Sequence, residues 1–326
     1  MVSSACLIFN PAAGQGNPEI ELQEIRAILE PHIDLEIHFT TEEINADELA
    51  KAAVERGVEA IIISGGDGTI SAAAAAVINT NIPLGIIARG TANALAIALN
   101  IPVIIADACK TILKGYTKMI DVGYCDGQPM TLLAGIGFEA ETIDRTDRET
   151  KNRLGMAAYV LSGLQELRDL KRFDVEIETE DRTIHTTASA LTVANAAPPI
   201  SVLAQGPAGI IFDDGLLDLT IVAPETRVDA IAATVHLFQT ASSGDPVNRN
   251  DIDYLQAKRF KITTNPPQKV AIDGEIIGTT PIEIKCIPSA LKVFVPYIEE
   301  IITEQTLTIQ VNLQPETEYR EQGTVY

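Results

Sequence analysis

Short apolar runs recur along the first 120 residues. Each ends in a polar turn and is followed by a stretch with apolar positions three and four apart. "ACLIFN" (5–10) runs into the turn cluster "NPAAGQGNP". Residues 19–32 follow, with Ile20, Ile25, Ile28 and Leu29 near helical spacing and Pro31 closing the run. "LEIHFT" (35–40) alternates like a strand, and "NADELAKAAVERG" (45–57) reads as a helix with Asn45 as cap and Gly57 as stop. "EAIIIS" (59–64) and "IPLGIIA" (82–88) read as strands, and "TISAAAAAVIN" (69–79) and "TANALAIALN" (91–100) as helices. This alternation implies a parallel sheet with helices on its faces.

Near residue 120 the period changes. "MIDVGYCDGQPMTLLAGIGFEA" (119–140) reads as a hairpin turning at "CDGQP", and "GMAAYVLSGLQELRDL" (155–170) as a helix. Residues 172–195, 215–223, 257–265, 268–275 and 282–287 then alternate between turn signals, interrupted by one helical stretch at 227–242. That is the pattern of an antiparallel sandwich. The expected fold is an α/β N-terminal domain over 1–120, to which 290–303 could return, a mainly antiparallel β-sandwich over 121–289, and a polar tail over 304–326.

Composition narrows the function. The net charge of −21 repels nucleic acid and anionic head groups at long range, so no nucleic-acid partner is expected. It leaves room for brief contact with a membrane through an apolar patch. Cys6, Cys109, Cys125 and Cys286 have no CxxC spacing and are expected to be reduced, mostly buried thiols of a cytoplasmic protein. His32, His38, His185 and His236 show no ligand-like grouping in sequence. The start lacks the pattern of a secretory leader. The longest weakly polar stretch, 94–109, is broken by Asn100, Pro102 and Asp107 and falls short of a membrane span. A homodimer is expected only because such dimers are common.

The candidate chemistry lies in the turns. "SGGDGT" (64–69) links a strand to a helix, where glycines let backbone N–H groups approach an anion and the helix adds its positive end. Asp67 beside phosphate makes sense with Mg²⁺ between them, or as a group orienting the backbone; the plain alternative is a tight turn with a capping aspartate. "NPAAGQG" (10–16) and "ARGTANALA" (88–96) follow two other strands, so three such turns should meet on one rim. Arg89 on that rim either contacts a phosphate or forms a surface salt bridge. No GxGxxG fingerprint and no Walker A motif occurs. In "VAIDGEIIG" (270–278), a regular strand would put Asp273 and Glu275 on one side as a carboxylate pair able to accept a proton, whereas a DG hairpin would separate them.

The ordered set NPAAG, GGDGT, GTANALA, IDVG, PAG…DDGLLDL and IDGE resembles the diacylglycerol kinase catalytic-domain superfamily, which includes bacterial soluble lipid kinases and sphingosine kinases; NAD kinases share GGDGT and a related fold. The resemblance covers about residues 5 to 297. It implies an ATP- and Mg²⁺-dependent lipid kinase of phospholipid metabolism, cytoplasmic and peripheral at a membrane surface, that phosphorylates the hydroxyl of diacylglycerol or a similar lipid. It further implies that Asn10, Pro11, Gly14, Thr40 (or Thr41), Gly65, Gly66, Asp67, Gly68, Thr69, Ile70, Ser71, Thr91 and Asn93 surround the nucleotide. Asp67 would act through nucleotide and Mg²⁺, and Glu275, supported by Asp273, would be the base. Asp121 would join a water–Mg²⁺ network, and a structural Mg²⁺ would be held by Asp214 with the carbonyls of Ile211 and Leu216. Ala94 stands where the family usually has Asp, and Ser71-Ala72 where it often has Asn-Glu. These departures keep two alternatives in view: a catalytically silent nucleotide- or lipid-binding homologue, and a kinase of a soluble substrate such as NAD.

Overall fold

The computed structural model describes residues 2–137, 172–198, 201, 204, 209–226, 228–229, 232–233, 236 and 249–297. The helix expected at 155–170 lies outside them, and most of the one at 227–242 does too. The chain divides into two units, Met1–Pro296 and Tyr297–Tyr326, and the first holds every described helix and strand.

The first half alternates as its periodicity predicts: β1 (Ser4–Phe9), α1 (Pro18–Leu29), β2 (Asp34–Phe39), α2 (Ala46–Arg56), β3 (Ile61–Gly65), α3 (Asp67–Val77), β4 (Leu84–Ala88), α4 (Ala94–Ala98) and α5 (Ile105–Lys114). Asn17 caps α1 by accepting from Glu19 and Ile20 N–H, and Pro18 fits the first turn, where a missing N–H costs nothing. Gly57 ends α2 in the left-handed region, as expected, whereas the Asn45 side chain makes no capping bond. Helix α5 was not legible in the sequence.

Strands β2-β1-β3-β4 are parallel in that order. Helices α1 and α5 cover one face, with Ile25, Leu29, Cys109 and Ile112 in its core. Helices α2, α3 and α4 cover the other, with Ala50, Ala53, Ile70, Ala73 and Leu95. Chain leaving β1 therefore turns to one face and chain leaving β3 to the other. The crevice between their C-terminal ends is the topological switch point where ligands bind in open α/β sheets.

The second half contributes β5 (Thr117–Cys125), β6 (Gln128–Met130), β7 (Leu133–Gly137), β8 (Phe173–Glu178), β9 (Thr183–Ala188), β10 (Ala190–Ala194), β11 (Leu217–Val222), β12 (Ile252–Ala257), β13 (Arg259–Asn265), β14 (Lys269–Ile272), β15 (Glu275–Thr279) and β16 (Ile282–Phe294). Asp126 and Gly127, both at positive φ, turn β5 into β6. The 119–140 segment is thus only in part a hairpin, because β7 leaves for another sheet. Six strands, β12-β11-β10-β7-β14-β15, form an antiparallel sheet. The second layer of the sandwich is not a separate sheet. Strand β16 pairs in parallel with β4 (Val293 with Leu84) and antiparallel with β5 and β13, so β5, β6, β8, β9, β13 and β16 extend the first sheet from four strands to ten. Val175, Ile177, Phe260 and Ile284 from that wing pack against Leu191, Val193, Leu219 and Ile272 of the six-stranded sheet.

Candidate functional site

The three turns at the C-terminal ends of β1, β3 and β4 are tied into one rim. Asn10 donates its main-chain N–H to Ser64 O (2.9 Å) and its Nδ2 to Thr69 Oγ1 (2.9 Å), while its Oδ1 accepts from Ala12 N–H (3.0 Å). Arg89 N–H reaches Gly65 O at 2.7 Å. The turns pack closely enough to require glycine at two points. A Cβ on Gly90 would lie 2.8 Å from Gly66 Cα, and one on Gly14, at φ +85°, would lie 2.8 Å from the Arg89 carbonyl oxygen.

Asp67 is the first residue of α3, yet its carboxylate serves the neighbouring turn. It accepts from Asn93 N–H (2.9 Å) and Ala94 N–H (2.6 Å), and Asn93 Oδ1 in turn accepts from Gly90 N–H (2.7 Å). Asp67 therefore caps α4 and fixes the backbone of the 90–93 turn, a geometry shared by the orienting alternative and by a plain capping aspartate. Burial pushes its pKa up, against the pull of these backbone bonds. Gly68 and Thr91 are exposed on the rim. Ile70 is not on it: its side chain is fully buried in the helix-side core and its N–H goes to Gly66 O, because α3 has already begun. Thr41 accepts from Glu43 and Ile44 N–H and so closes its own turn. Thr40, half-buried at the end of β2, keeps its hydroxyl uncommitted among the described residues.

Asp273 and Glu275 are not neighbours on a regular strand. Asp273 (φ 48°) and Gly274 (φ 92°) form the two-residue turn between β14 and β15, and Ile272 pairs directly with Glu275. The Asp273 carboxylate points inward. It accepts from the N–H groups of Thr131 (2.9 Å), Leu132 (3.0 Å) and Leu133 (3.0 Å), and from Thr131 Oγ1 (2.8 Å). Ser71 Oγ of α3 lies 3.4 Å from the same carboxylate and 3.2 Å from Thr131 Oγ1. Burial raises the Asp273 pKa and the backbone donors oppose it. Glu275, by contrast, is exposed. Asp273 thus joins α3, the start of β7 and the turn that carries Glu275. Thr131 belongs to no motif, and nothing in the sequence signalled its part.

The remaining acidic candidates gather around residues 211–216. Asp121 is buried and accepts from Gly215 N–H (2.6 Å) and Ser289 N–H (2.7 Å), and its own N–H meets Phe212 O (2.8 Å). Asp214 is exposed; one of its oxygens accepts from Leu216 N–H (3.0 Å). Ile211 is exposed as well, at 47%. The donors offered here are carboxylate and carbonyl oxygens, a set that suits Mg²⁺ and not a soft metal.

Family models match almost all of this framework: the diacylglycerol kinase catalytic domain over residues 4–125 and the YegS C-terminal NAD kinase beta sandwich-like domain over 133–295. The chain is 30% identical over 286 residues to the diacylglycerol kinase of Bacillus subtilis, spanning 85% of this chain and 91% of that one. The chain belongs to the diacylglycerol kinase family. It is accordingly a lipid-kinase-type phosphotransferase. An uncharacterized protein of Synechocystis sp. is 48% identical over 301 residues, covering 89% of this kinase and 70% of the relative. The crystal structure of a diacylglycerol kinase from Bacillus anthracis superposes with a TM-score of 0.71 at 25% identity, covering 90% of this chain and 97% of that one.

Two expectations for this kinase need correction. Arg89 is neither free on the rim nor in a surface salt bridge: it is buried beneath the 10–16 loop and paired with Glu21. His38 does join other ligand-type groups, because the register of β1 and β2 brings Cys6, Glu36 and His38 together. Arg56 Nη2 already sits among them, 4.0 Å from Cys6 Sγ, 3.3 Å from Glu36 and 3.5 Å from His38 Nε2. Burial pushes the Cys6 thiol up to about 11. All four cysteines are buried and free.

Proposed function

We propose that this kinase transfers the γ-phosphoryl group of ATP to the hydroxyl of diacylglycerol or a similar lipid, at a membrane surface. The observation that carries this is the joining of the three turns at the switch point to the Glu275 hairpin, through Asn10–Thr69, Asp67–Asn93/Ala94 and Ser71–Asp273. In this reading the backbone of the turns at 10–16, 65–69 and 90–93 surrounds the phosphates, with Asn10, Pro11, Gly14, Gly65, Gly66, Gly68, Thr69, Thr91 and Asn93 contributing and Thr40 meeting the ribose. Mg²⁺, when bound, would neutralise charge on the phosphate oxygens. Asp214, with the carbonyls of Ile211 and Leu216, would hold a structural Mg²⁺, and Asp121 would fix that loop from beneath. Glu275 would take the acceptor's proton as its oxygen bonds to phosphorus and the bond to the ADP oxygen breaks. Asp273 would act by position, because its carboxylate is already filled with donors. Among the described residues no helix is long and apolar enough to cross a membrane, in keeping with work at a surface.

The test is transfer of labelled γ-phosphate from ATP–Mg²⁺ to lipids in mixed micelles. Diacylglycerol, monoacylglycerol, ceramide, a sphingoid base and phosphatidylglycerol would be offered, with NAD as soluble control. A labelled lipid that disappears with Glu275→Gln and with Asp67→Ala is the expected result. Label on NAD alone would overturn the lipid assignment. No transfer to any acceptor, alongside ATP binding, would favour a silent binding protein.

A further inference from the structure

Arg89 is the group in this site that the phosphoryl transfer leaves without a role. Its side chain is 2% exposed. Three of its five N–H donors are hydrogen-bonded to protein. Nε donates to Glu21 Oε2 (2.7 Å), Nη1 to Asn10 O (3.0 Å) and Nη2 to Ala13 O (2.9 Å), and Nη2 also lies 2.5 Å from Glu21 Oε2 in an ion pair. The guanidinium lies over the Phe9 ring, 4.2 Å from its centroid. Its main-chain N–H reaches Gly65 O, and its carbonyl oxygen is the atom that Gly14 packs against. One residue thus touches all three turns.

A buried guanidinium neutralised by a carboxylate has no free fork for a phosphate. What it can do is aim peptide dipoles. In a trans peptide the C=O and N–H point in opposite directions. With the Ala13 carbonyl drawn in toward Arg89, the Gly14 N–H is turned away from the guanidinium. The Asn10 carbonyl is drawn in the same way, which keeps its lone pairs off the crevice. Phosphate is held by N–H groups and repelled by carbonyl oxygens, so this orientation matters to an anion and to little else.

We propose that Arg89 is a positioning residue of the nucleotide site: braced by Glu21 and Phe9, it holds the Asn10 and Ala13 carbonyls inward and so keeps the 10–16 loop in its phosphate-accepting form, without touching the nucleotide. The inference rests on the assignment of these turns to ATP phosphates.

The experiment compares full-length wild type, Arg89→Ala, Arg89→Lys and Glu21→Gln. Calorimetric titration with ATP–Mg²⁺ is paired with the ATP dependence of lipid phosphorylation, and circular dichroism identifies the folded variants. The expected result for Arg89→Ala is a rise of about tenfold or more in both Kd and KM for ATP, with kcat and the lipid KM near wild type. Arg89→Lys keeps the charge without the fork and should fall between. Glu21→Gln should move the same way by less. If Arg89→Ala does not fold, the other two variants carry the comparison. Folded variants whose KM for ATP matches wild type, or whose loss is all in kcat, overturn the proposal and leave the nucleotide site standing. A wild-type protein that fails to bind ATP–Mg²⁺ overturns the nucleotide assignment itself and this inference with it.

Discussion

Asp218 should leave a mark on the pH dependence of the whole protein. It is 1% exposed on β11; its Oδ1 accepts from Gln256 Nε2 at 2.9 Å, and its Oδ2 has no partner among the described residues. Burial, reinforced by the charge of Asp214 and opposed by the Gln256 bond, lifts its pKa from 3.8 to about 6. The folded state therefore holds this proton better than the unfolded chain. That advantage is full below about pH 4 and is lost as the pH rises through about 6, an effect of roughly 3 kcal/mol at most. Asp218→Asn cannot titrate. In urea melts from about pH 4 to about pH 7, the variant should gain on wild type by about 1–3 kcal/mol across the window. Parallel curves would show an ordinary carboxylate. At Gly90 the expectation is steric: Gly90→Ala sets a methyl 2.8 Å from Gly66 Cα and forces two turns apart. Its KM for ATP should rise about tenfold or more while the fold survives by circular dichroism.

At the scale of elements, the junction of α3 with the β14–β15 hairpin is held by the four donors that meet the Asp273 carboxylate and by Ser71. Asp273→Ala leaves three inward N–H groups and the Thr131 hydroxyl without their acceptor, so a loss of about 2–4 kcal/mol is expected in denaturant melts. Ser71→Ala should cost about 1 kcal/mol or less, because its two contacts are long. The same junction marks where sequence stops informing. The strand–helix alternation up to residue 100 was legible because buried strands and amphipathic helices have different periods. Helix α5 was not, since the apolar run before it masks its start. Alternation along β8, β13 and β16 revealed one buried face each, but not the neighbour each would choose, so their joining of the first sheet could not be foreseen. The turn chemistry of 10–16, 64–69 and 88–93 was visible. The partners of Asp67, 26 and 27 residues away, and the burial of Arg89 depend on how the turns pack, which spacing does not encode.

At the scale of the molecule, charge sets the terms on which a lipid surface can be approached. With a net charge of −21, turnover on mixed vesicles should fall as anionic lipid is added at low salt and recover when salt shortens the Debye length to about 8 Å. Turnover indifferent to both would mean that a local patch, not the overall field, governs contact.

Strand β16 also orders events in time. It supplies Leu291, Val293 and Phe294 to the two cores that flank the parallel sheet, and it covers the edge of β4. A ribosome delivers it almost 200 residues after β4. During synthesis the nascent first half therefore carries an open strand edge and an incomplete interior, conditions that favour aggregation and chaperone capture. A fragment comprising residues 1–125 should be digested rapidly by protease under conditions in which the full chain resists. The crevice proposed for the nucleotide would then mature late on a chain whose motifs for it are the first to be translated.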